Sequence, residues 1–233
     1  MASPKLKELS VFFPFYNEEA NIKAQTEQAL KIIPRFAKEF EIILVNDGSV
    51  DKTNQIGQKL AAKYPNVFLV SHQKNRGYGG ALKSGFAKAK YEWIFFSDGD
   101  RQFDLAEIAK LLPLTSQADL VIGYRQKRAD TLIRLINAKL FNLLIRLLFG
   151  LKVADIDCAF KLLKKEVVDG LELKSDGALI SSELLIKAQK AGFRITQVPV
   201  SHYPRKIGSP TGANPRVIFK AFYDIFTLWQ ELK

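Results

Sequence analysis

The chain has 233 residues and a net charge of +11, with 47% hydrophobic and 25% charged residues, a composition typical of one substantial folded domain. Cys158 is its only cysteine, and His72 and His202 are its only histidines, so an intrachain disulfide is excluded and a histidine-rich metal site is disfavoured. The first ten residues contain no apolar run, which predicts that the protein has no signal peptide. The single cysteine fits a reducing compartment.

The positive charge is concentrated in the C-terminal half. Residues 1–120 carry a net charge of +2, and residues 121–233 carry +9. This asymmetry indicates an anionic partner for the second half, namely a nucleic acid, a phosphorylated ligand or a membrane surface, although a merely solvated basic face gives the same count. Few aromatic residues are interleaved with the basic ones, which argues against single-stranded nucleic acid.

Short apolar runs alternate with helical stretches through the first 125 residues. The runs fall at residues 9–14, 41–45, 67–70, 93–97 and 120–123, and the first is expected to stop at Pro14. Helices are predicted at residues 21–40, from Asp51 onward with Asp51 as N-cap, at 81–89 and at 104–112. Strands that alternate with helices predict a mostly parallel, doubly wound α/β sheet.

The run at residues 93–96 leads directly into Asp98, Gly99 and Asp100. An uninterrupted apolar run is typical of a strand buried on both faces, and open α/β sheets bind ligands at the carboxyl ends of such strands. On an extended backbone both carboxylates point the same way, and they repel unless a cation lies between them. A divalent ion that also binds substrate phosphates fits this pattern, whereas a polar exit from a strand is the plain alternative. Gly99 is expected to allow a turn and the close approach of a ligand.

Polar residues follow the predicted strands at their carboxyl ends. They are Tyr16 to Glu18, Asn46 and Asp47, Arg76 to Gly80, Asp98 and Asp100, and Arg125. Such a set predicts one ligand-binding crevice. The glycine-rich loop at residues 75–80 precedes a helix, as phosphate-binding loops do, but it matches neither the P-loop nor the dinucleotide fingerprint, so a tight turn is an equal interpretation.

Residues 131–149 form a long apolar segment in the C-terminal half. Arg134, Lys139 and Arg146 would each cost about 2.5–3.5 kcal/mol at the centre of a bilayer, which disfavours a membrane span. The segment is therefore expected to be an amphipathic helix that either packs on the domain or lies in a membrane interface.

Further elements are predicted beyond that helix. A loop feeds a strand at residues 153–163, a helix follows at 183–191, and another strand at 195–200. Residues 201–214, with Arg205 and Lys206, form either a lid over an anionic ligand or an ordinary surface connection. Pro215 is expected to open a final amphipathic helix.

Four motifs occur in order along the chain. They are Pro14-Phe15-Tyr16-Asn17-Glu18, residues 45–51 (VNDGSVD), residues 75–81 (NRGYGGA) and Asp98-Gly99-Asp100-Arg101-Gln102. With these motifs the chain resembles the inverting glycosyltransferases of family 2 with the GT-A fold, and among them the polyprenyl-phosphate sugar synthases, such as the dolichol-phosphate mannose synthases. The resemblance covers nearly the whole length. It implies a Rossmann-like, mostly parallel sheet flanked by helices, with amphipathic interface helices in the C-terminal half.

The resemblance also implies one GT-A domain over residues 1–233, in which residues 1–125 bind the nucleotide sugar and residues 126–233 face the acceptor and the membrane. The residues implied in nucleotide binding are Pro14, Tyr16, Asn17, Glu18, Asp47, Gly77, Asp98 and Gly99. Those implied in holding Mg²⁺ or Mn²⁺ are Asp98, Asp100 and Gln102. Catalysis would involve Asp98, Asp100 and Arg125, and the acceptor phosphate would meet Arg134, Arg205 and Lys206.

The chain departs from the family pattern at two places. The usual Ser-Gly-Phe-Arg appears as Cys158-Ala159-Phe160-Lys161, and the usual Gly-x-Ser-Lys loop reads GSPTG at residues 208–212. The serine's contact to phosphate and the identity of the acceptor are therefore open. Many relatives carry C-terminal membrane spans, and none is expected here.

We expect transfer of a sugar from a UDP- or GDP-linked donor to a polyprenyl (dolichyl or undecaprenyl) phosphate, by a peripheral protein on the cytoplasmic face of the membrane. The second pKa of a phosphate monoester is about 6, so this acceptor is already anionic and needs no general base. A hydroxyl acceptor does need one, and Glu183 is then the candidate; otherwise Glu183 is expected to be structural.

Two alternatives stay open. The first is a family 2 transferase with a glycan or other hydroxyl acceptor, and the second is a non-catalytic nucleotide-sugar or anion-binding module. Intact Asp98 and Asp100 argue against the second. The donor base is open as well, because Asp47 can pair with uracil or with guanine.

Overall fold

The computed structural model describes residues 5–126, 132–205 and 224–232, and for residues 132–139 it describes the backbone alone. Its centre is a seven-stranded sheet in the order β3-β2-β1-β4-β6-β5-β7. The strands are β1 (Leu6–Phe15), β2 (Ala37–Asn46), β3 (Val67–Ser71), β4 (Trp93–Ser97), β5 (Leu120–Arg125), β6 (Phe160–Lys164) and β7 (Ile195–Val200). β6 is antiparallel to both neighbours, and the remaining neighbouring pairs are parallel, which confirms the predicted mostly parallel sheet.

Helices provide the connections that parallel strands require. They are α1 (Ile22–Ile32), α2 (Thr53–Lys63), α3 (Gly77–Lys88), α4 (Ile108–Leu111), α5 (Leu132–Phe149), α6 (Lys165–Asp169) and α7 (Ile180–Lys190), and residues 224–231 are also helical. Among these described helices, none has both the length and the apolar character that a bilayer crossing requires. The start of the last helix, predicted at Pro215, lies outside the described residues.

The sheet separates two hydrophobic cores. Val11 and Phe13 of β1 point into one core together with α1, whereas Phe12 points into the other. There its ring lies 5.1 Å from that of Phe86 in α3 and 5.2 Å from that of Phe96 in β4. Because both faces are covered, every residue of β4 is buried, and this is why its sequence is apolar without alternation.

Two prolines account for boundaries that the sequence pattern predicts wrongly. The helix expected to reach residue 40 ends at Ile32, and a 3₁₀ turn, Ile33–Arg35, follows around Pro34, whose ring and missing N–H do not allow the α-helix to continue. Pro14, in contrast, does not stop β1, since it pairs in register with Val45 of β2. The ladder to β4 ends at Phe12, so Pro14 lies beyond the last pair on that side.

Two further details differ from expectation. The glycine-rich stretch is not a free loop, because α3 begins at Gly77 and includes Gly79 and Gly80. The N-cap of α2 is Lys52 and not Asp51, although Asp51 Oδ1 does accept the backbone N–H of Thr53 over 2.9 Å. The helix α3 thus starts four residues earlier than predicted, and α2 starts one residue later.

Candidate active site

The parallel strands bring their carboxyl ends to one edge of the sheet. Tyr16 follows β1, Asp47 follows β2, His72 follows β3, Asp98 follows β4, and Arg125 is the last residue of β5. Because β6 runs in the opposite direction, the loop at residues 150–159 enters the sheet at this same edge. β7 ends here too and leads to Arg205. The structure thus brings together the residues from which the sequence predicted a crevice.

Asp98 directly follows β4, but Gly99 and Asp100 form a turn, so the two acids do not lie on one extended backbone as expected, and Arg101 beside them has a φ of 63°. The two carboxylates still interact, because burial and then the charge of Asp100 raise the pKa of Asp98. Burial also raises the pKa of Asp100, and Glu18 adds to the effect. A hydrogen bond from Tyr78 to Asp98 acts in the opposite direction. The pair is therefore costly to ionise without a cation nearby.

Arg205 supplies positive charge to this pair. Its guanidinium contacts the carboxylate of Glu18 and lies 3.5 Å from Asp100 Oδ2. Glu18 is fixed from two other directions, because Asn21 Nδ2 donates to its Oε2 over 2.6 Å and its backbone N–H donates to Thr53 Oγ1 over 2.8 Å. The guanidinium of Arg205 is therefore shared by a carboxylate from the loop after β1 and one from the loop after β4.

A short bridge holds the segment that carries Arg205. The N–H of Tyr203 donates to Gln102 O over 2.8 Å, and Gln102 Nε2 donates to Tyr203 O over 2.8 Å. Phe103 and His202 form an antiparallel bridge, with ring centroids 5.2 Å apart. The side-chain nitrogen of Gln102 is thus used to position this segment, and its role as a metal ligand stays a prediction.

Arg125 is oriented by Asp155. Its Nε and one terminal nitrogen donate to the two carboxylate oxygens over 2.6 and 2.8 Å, and its backbone N–H donates to Oδ2 over 3.2 Å. Burial lowers the pKa of Arg125, but the pairing with Asp155 outweighs it and raises that pKa. The charge of Arg125 reaches Asp98, whose pKa it lowers. Arg125 is therefore a permanent cation near the acidic pair.

Lys161 is a second cation near the pair, and it is fully buried in β6. Its Nζ donates to the carbonyl oxygens of Ile156 (3.1 Å) and Cys158, so it fixes the loop before β6. Burial lowers the pKa of Lys161. Cys158, at the position of serine in the pattern that the chain resembles, is itself buried, and burial raises the pKa of its thiol to about 12. The Cys158 side chain is therefore a neutral thiol packed inside the protein.

The loops after β1 and β2 are tied to each other. Asn17 has a φ of 54°, its N–H donates to Ser49 Oγ over 2.9 Å, and its Oδ1 accepts the N–H of Val50 over 2.9 Å. Tyr16 beside it is 41% exposed, so its ring is open to a ligand. Asn17 therefore ties the loop after β1 to the loop after β2, and the nucleotide-binding roles of Pro14, Tyr16 and Asn17 stay predictions.

Two of the predicted nucleotide-binding glycines have packing reasons to be glycine. Gly77 has a φ of +83°, and a Cβ there would lie 2.4 Å from Asp176 O. A Cβ on Gly99 would lie 2.3 Å from the ring of Phe15. Gly99 therefore allows the close approach of Phe15 within the protein, and the expected approach of a ligand stays a prediction.

Asp47 is buried at the end of β2 and lies in a dense set of hydrogen bonds. His72 Nδ1 lies 2.7 Å from Asp47 Oδ1, and the backbone N–H of Arg76 donates to the same oxygen over 2.8 Å. On the other side of the imidazole, Nε2 lies 2.8 Å from Ser84 Oγ. Asn75 Nδ2 donates to Asp47 O over 3.3 Å. Asp47 is thus held rigidly at the edge of the crevice.

Glu183 is buried in α7 and its carboxylate is occupied. The backbone N–H groups of Lys174 and Ser175 donate to its two oxygens over 2.8 Å each, and Lys187 Nζ donates over 2.6 Å. Burial opposes ionisation of Glu183, but these donors outweigh it and lower its pKa. This environment favours the structural interpretation of Glu183 over that of a general base.

Two predicted acceptor-binding residues cannot be located in the same detail. Arg134 belongs to the first turn of α5, where only the backbone is described, and Lys206 lies outside the described residues. Their roles stay predictions.

The donor set at the crevice fits a hard divalent cation. Asp98 and Asp100 supply carboxylates that are unfavourable to ionise without positive charge nearby, and Arg205 lies 3.5 Å from the carboxylate of Asp100. Within the described ranges, no group of three or more His, Cys, Asp and Glu side chains is arranged as a metal site. Two carboxylates and open positions are what an ion shared with substrate phosphates requires.

Three residues of this site are not singled out by sequence reasoning: His72, Asp155 and Lys161. His72 stands one residue after β3, at the carboxyl end of a strand, and that position is the one sequence feature that could have identified it. Asp155 and Lys161 belong to the only antiparallel connection in the described sheet, whose direction the apolar pattern does not reveal.

Comparison with known proteins agrees with this architecture. Residues 10–171 match the family model described as glycosyl transferase family 2. The undecaprenyl-phosphate 4-deoxy-4-formamido-L-arabinose transferase of Photorhabdus laumondii is 28% identical over 230 residues, which cover 97% of this chain and 69% of that protein.

Solved structures of glucosyl-3-phosphoglycerate synthase from Mycobacterium tuberculosis share the fold. The complex with Mn²⁺, UDP and glucosyl-3-phosphoglycerate superposes with a TM-score of 0.74 at 18% identity, covering 96% of this chain and 80% of that chain. The complex with Mg²⁺ and UDP gives a TM-score of 0.73 at 17% identity with the same coverage.

Proposed function

The chain belongs to glycosyl transferase family 2, and we propose that it transfers a sugar from a UDP- or GDP-linked donor to a polyprenyl phosphate, dolichyl or undecaprenyl, with inversion at the anomeric carbon. The observation that carries the proposal is the acidic pair Asp98 and Asp100 at the carboxyl edge of the sheet, with Arg205 beside it. The name of the Photorhabdus relative, an undecaprenyl-phosphate sugar transferase, supports the choice of acceptor.

In this proposal residues 1–125 form the donor half. Tyr16, Glu18 and Asp47 bind the base and ribose, and Pro14, Asn17, Gly77 and Gly99 shape the loops around them. Asp98 and Asp100, with Gln102, hold Mg²⁺ or Mn²⁺, which when bound neutralises charge on the departing diphosphate. Arg125 adds fixed positive charge to the same region, and its orientation by Asp155 means that little reorganisation is needed during the reaction.

Residues 126–233 form the acceptor half. Arg205 is near the acidic pair and is the residue that we assign to the acceptor phosphate, together with Arg134 and Lys206. The acceptor phosphate is itself the anionic nucleophile, so the reaction needs no general base. The three donors to Glu183 are consistent with this, because a carboxylate so occupied is a poor proton acceptor.

A stripe of exposed leucines supports a site at a membrane surface. Leu140, Leu143 and Leu147 of α5, called here the leucine stripe, are 55%, 51% and 74% exposed. Their spacing places them on one side of the helix, while Ile145 anchors the opposite side in the core. Asn142 Nδ2 donates to Ala154 O over 3.3 Å, which links α5 to the loop that carries Asp155. We assign the leucine stripe to the cytoplasmic face of a membrane, where the protein binds peripherally.

A hydroxyl acceptor is the first alternative, and its base would have to be Glu183. The test is to give the purified protein vesicles containing undecaprenyl phosphate, or a soluble glycan, together with labelled UDP- and GDP-sugars and Mn²⁺. We expect label in the lipid extract and its loss with a chelator. Label that enters only the soluble acceptor would refute the lipid-phosphate proposal.

A non-catalytic binder is the second alternative. The same assay distinguishes it, since a binder takes up nucleotide sugar without divalent-dependent release of nucleotide. The matched variants are Asp98→Asn with Asp100→Asn, which should abolish transfer, and Asp169→Asn, which removes an exposed acid that pairs with Lys165 on α6 and should leave transfer unchanged.

A further inference from the structure

Asp47 at the end of β2, His72 at the end of β3 and Ser84 inside α3 form a chain of hydrogen-bonding side chains. Asp47 Oδ1 and His72 Nδ1 are 2.7 Å apart, and His72 Nε2 and Ser84 Oγ are 2.8 Å apart. The side chains of His72 and Asp47 are only 6% and 4% exposed. An imidazole held on both nitrogens cannot turn, so it fixes the orientation of the Asp47 carboxylate.

The consequence is an unequal use of the two carboxylate oxygens. Oδ1 of Asp47 is approached by His72 Nδ1 and also accepts the backbone N–H of Arg76 over 2.8 Å. Oδ2 receives no hydrogen bond from the part of the chain that the structure describes, and it is the oxygen left for a ligand. Asp47 therefore offers one free acceptor at the crevice, although a carboxylate can offer two.

The number of free acceptors matters because the bases differ in their donors. Uracil presents a single imide N–H between two carbonyl oxygens, which one carboxylate oxygen satisfies. Guanine presents a ring N–H beside an amino group, and this pair matches both oxygens of a free carboxylate. A buried donor that finds no acceptor loses its hydration without compensation, so guanine is penalised where Oδ1 is already occupied.

We infer that His72, supported by Ser84, is a specificity-determining residue that restricts the donor to a uracil nucleotide by occupying Oδ1 of Asp47. This inference rests on the proposed function, in which Asp47 binds the donor base. His72 acts through Asp47 and does not itself touch the nucleotide. The substrate class that follows is a UDP-sugar and not a GDP-sugar.

The inference is tested by calorimetric titration of UDP and GDP in the presence of Mn²⁺. The wild-type protein should bind UDP at least about tenfold more tightly than GDP, as expected when one base donor is left unpaired. His72→Ala frees Oδ1 from its side-chain partner and should lower the UDP:GDP affinity ratio about fivefold or more. His72→Gln, whose amide still donates to Oδ1, should restore most of the preference.

Two further variants keep the test decisive. Ser84→Ala removes only the outer support of the imidazole and should lower the ratio less than His72→Ala does, while Ser116→Ala on the surface should leave it unchanged. If His72→Ala fails to fold, as judged from its thermal transition, the comparison is made with Ser84→Ala and His72→Gln.

Equal or tighter binding of GDP by the wild type overturns the inference but leaves the proposed transferase intact. Variants that weaken both nucleotides equally also overturn it, and a wild type that binds neither nucleotide overturns the proposed function as well.

Discussion

The guanidinium of Arg205 lies 3.5 Å from the carboxylate of Asp100, and it also contacts Glu18. A residue beyond the last strand of the sheet is thereby joined to the loops after β1 and β4. The reciprocal hydrogen bonds between Gln102 and Tyr203 keep the two segments at this distance. In the proposed function Glu18 and Asp100 act on the donor and Arg205 on the acceptor phosphate, so the two sides of the transfer would already be adjacent, as transfer between two phosphate-bearing substrates requires.

Replacing Arg205 should affect transfer more than donor binding. For Arg205→Gln we expect a loss of about a hundredfold in kcat with lipid phosphate, the scale seen when one preorganised charge is removed from a site. The affinity for UDP should change only a few-fold, because Tyr16 and Asp47 are untouched. Steady-state kinetics and nucleotide titration check this.

The matched control for that variant is Arg35→Gln, which removes an exposed arginine from the 3₁₀ turn after α1. It should leave both measurements unchanged. Turnover of Arg205→Gln equal to that of the wild type would remove Arg205 from the acceptor site.

Asp98→Asn should abolish transfer and yet stabilise the metal-free protein at pH 8. Burial and Asp100 raise the pKa of Asp98 in the folded state above its unfolded value, so ionised Asp98 costs folding free energy at high pH. Asparagine removes that cost and can still accept the hydrogen bond of Tyr78. This gain in the free energy of unfolding should shrink as the pH falls toward about 3.9, the ordinary pKa of an aspartate side chain.

Thermal unfolding of both proteins in a chelator, from pH 4 to 8, measures the effect. Asp169→Asn on the surface should change the free energy of unfolding by less than about 0.5 kcal/mol at any of these pH values. A lower melting temperature for Asp98→Asn at pH 8 would contradict the assignment of Asp98 as a carboxylate awaiting a cation.

The order and type of the elements in residues 1–125 could be predicted from the sequence, because apolar runs and helix periodicity are local properties. The boundaries that failed depend on neighbours. Pro14 is tolerated in β1 only because the ladder to β4 ends at Phe12, and no local pattern reports where a neighbouring strand stops. The reversed direction of β6 is likewise decided by tertiary packing.

The site was predictable to the extent that it follows from strand ends and motifs. Asp98, Asp100 and Arg125 were predicted in this way, and the structure places them at that edge of the sheet. Their supports were not, because Asp155, which orients Arg125, and His72, which orients Asp47, reach their partners across 30 and 25 residues of sequence. Such pairings become visible only when the sheet topology is known.

Glu183→Gln should lower stability more than activity. In the folded state the donors to Glu183 lower its pKa below the value in the unfolded chain. Ionised Glu183 therefore stabilises the fold at every pH above the unfolded pKa, and this stabilisation is lost as the pH falls through the folded pKa. We expect a loss of about 1–3 kcal/mol in the free energy of unfolding at pH 7, which narrows at acid pH. Urea unfolding at several pH values measures it.

Activity assays below the melting temperature complete that experiment. Turnover of folded Glu183→Gln should fall less than tenfold, with an unchanged pH profile. A loss of several orders of magnitude at unchanged stability would instead make Glu183 the general base and favour a hydroxyl acceptor.

The leucine stripe on α5 should be required for membrane binding and not for donor binding. Leu140, Leu143 and Leu147 are each about half to three-quarters exposed, so burial in a bilayer interface would contribute about 1 kcal/mol for each side chain. Replacing all three by serine should therefore weaken binding to anionic vesicles about a hundredfold. Vesicle sedimentation measures this, and UDP titration should show unchanged affinity because the stripe lies on the outer side of α5.

The net charge of +11 adds a dependence of vesicle binding on salt. Binding of the wild type to anionic vesicles should weaken as the salt concentration rises, and the triple serine variant should show the same salt dependence with a lower affinity at each concentration. Vesicle binding that is unaffected by the three serines would move the membrane contact away from α5.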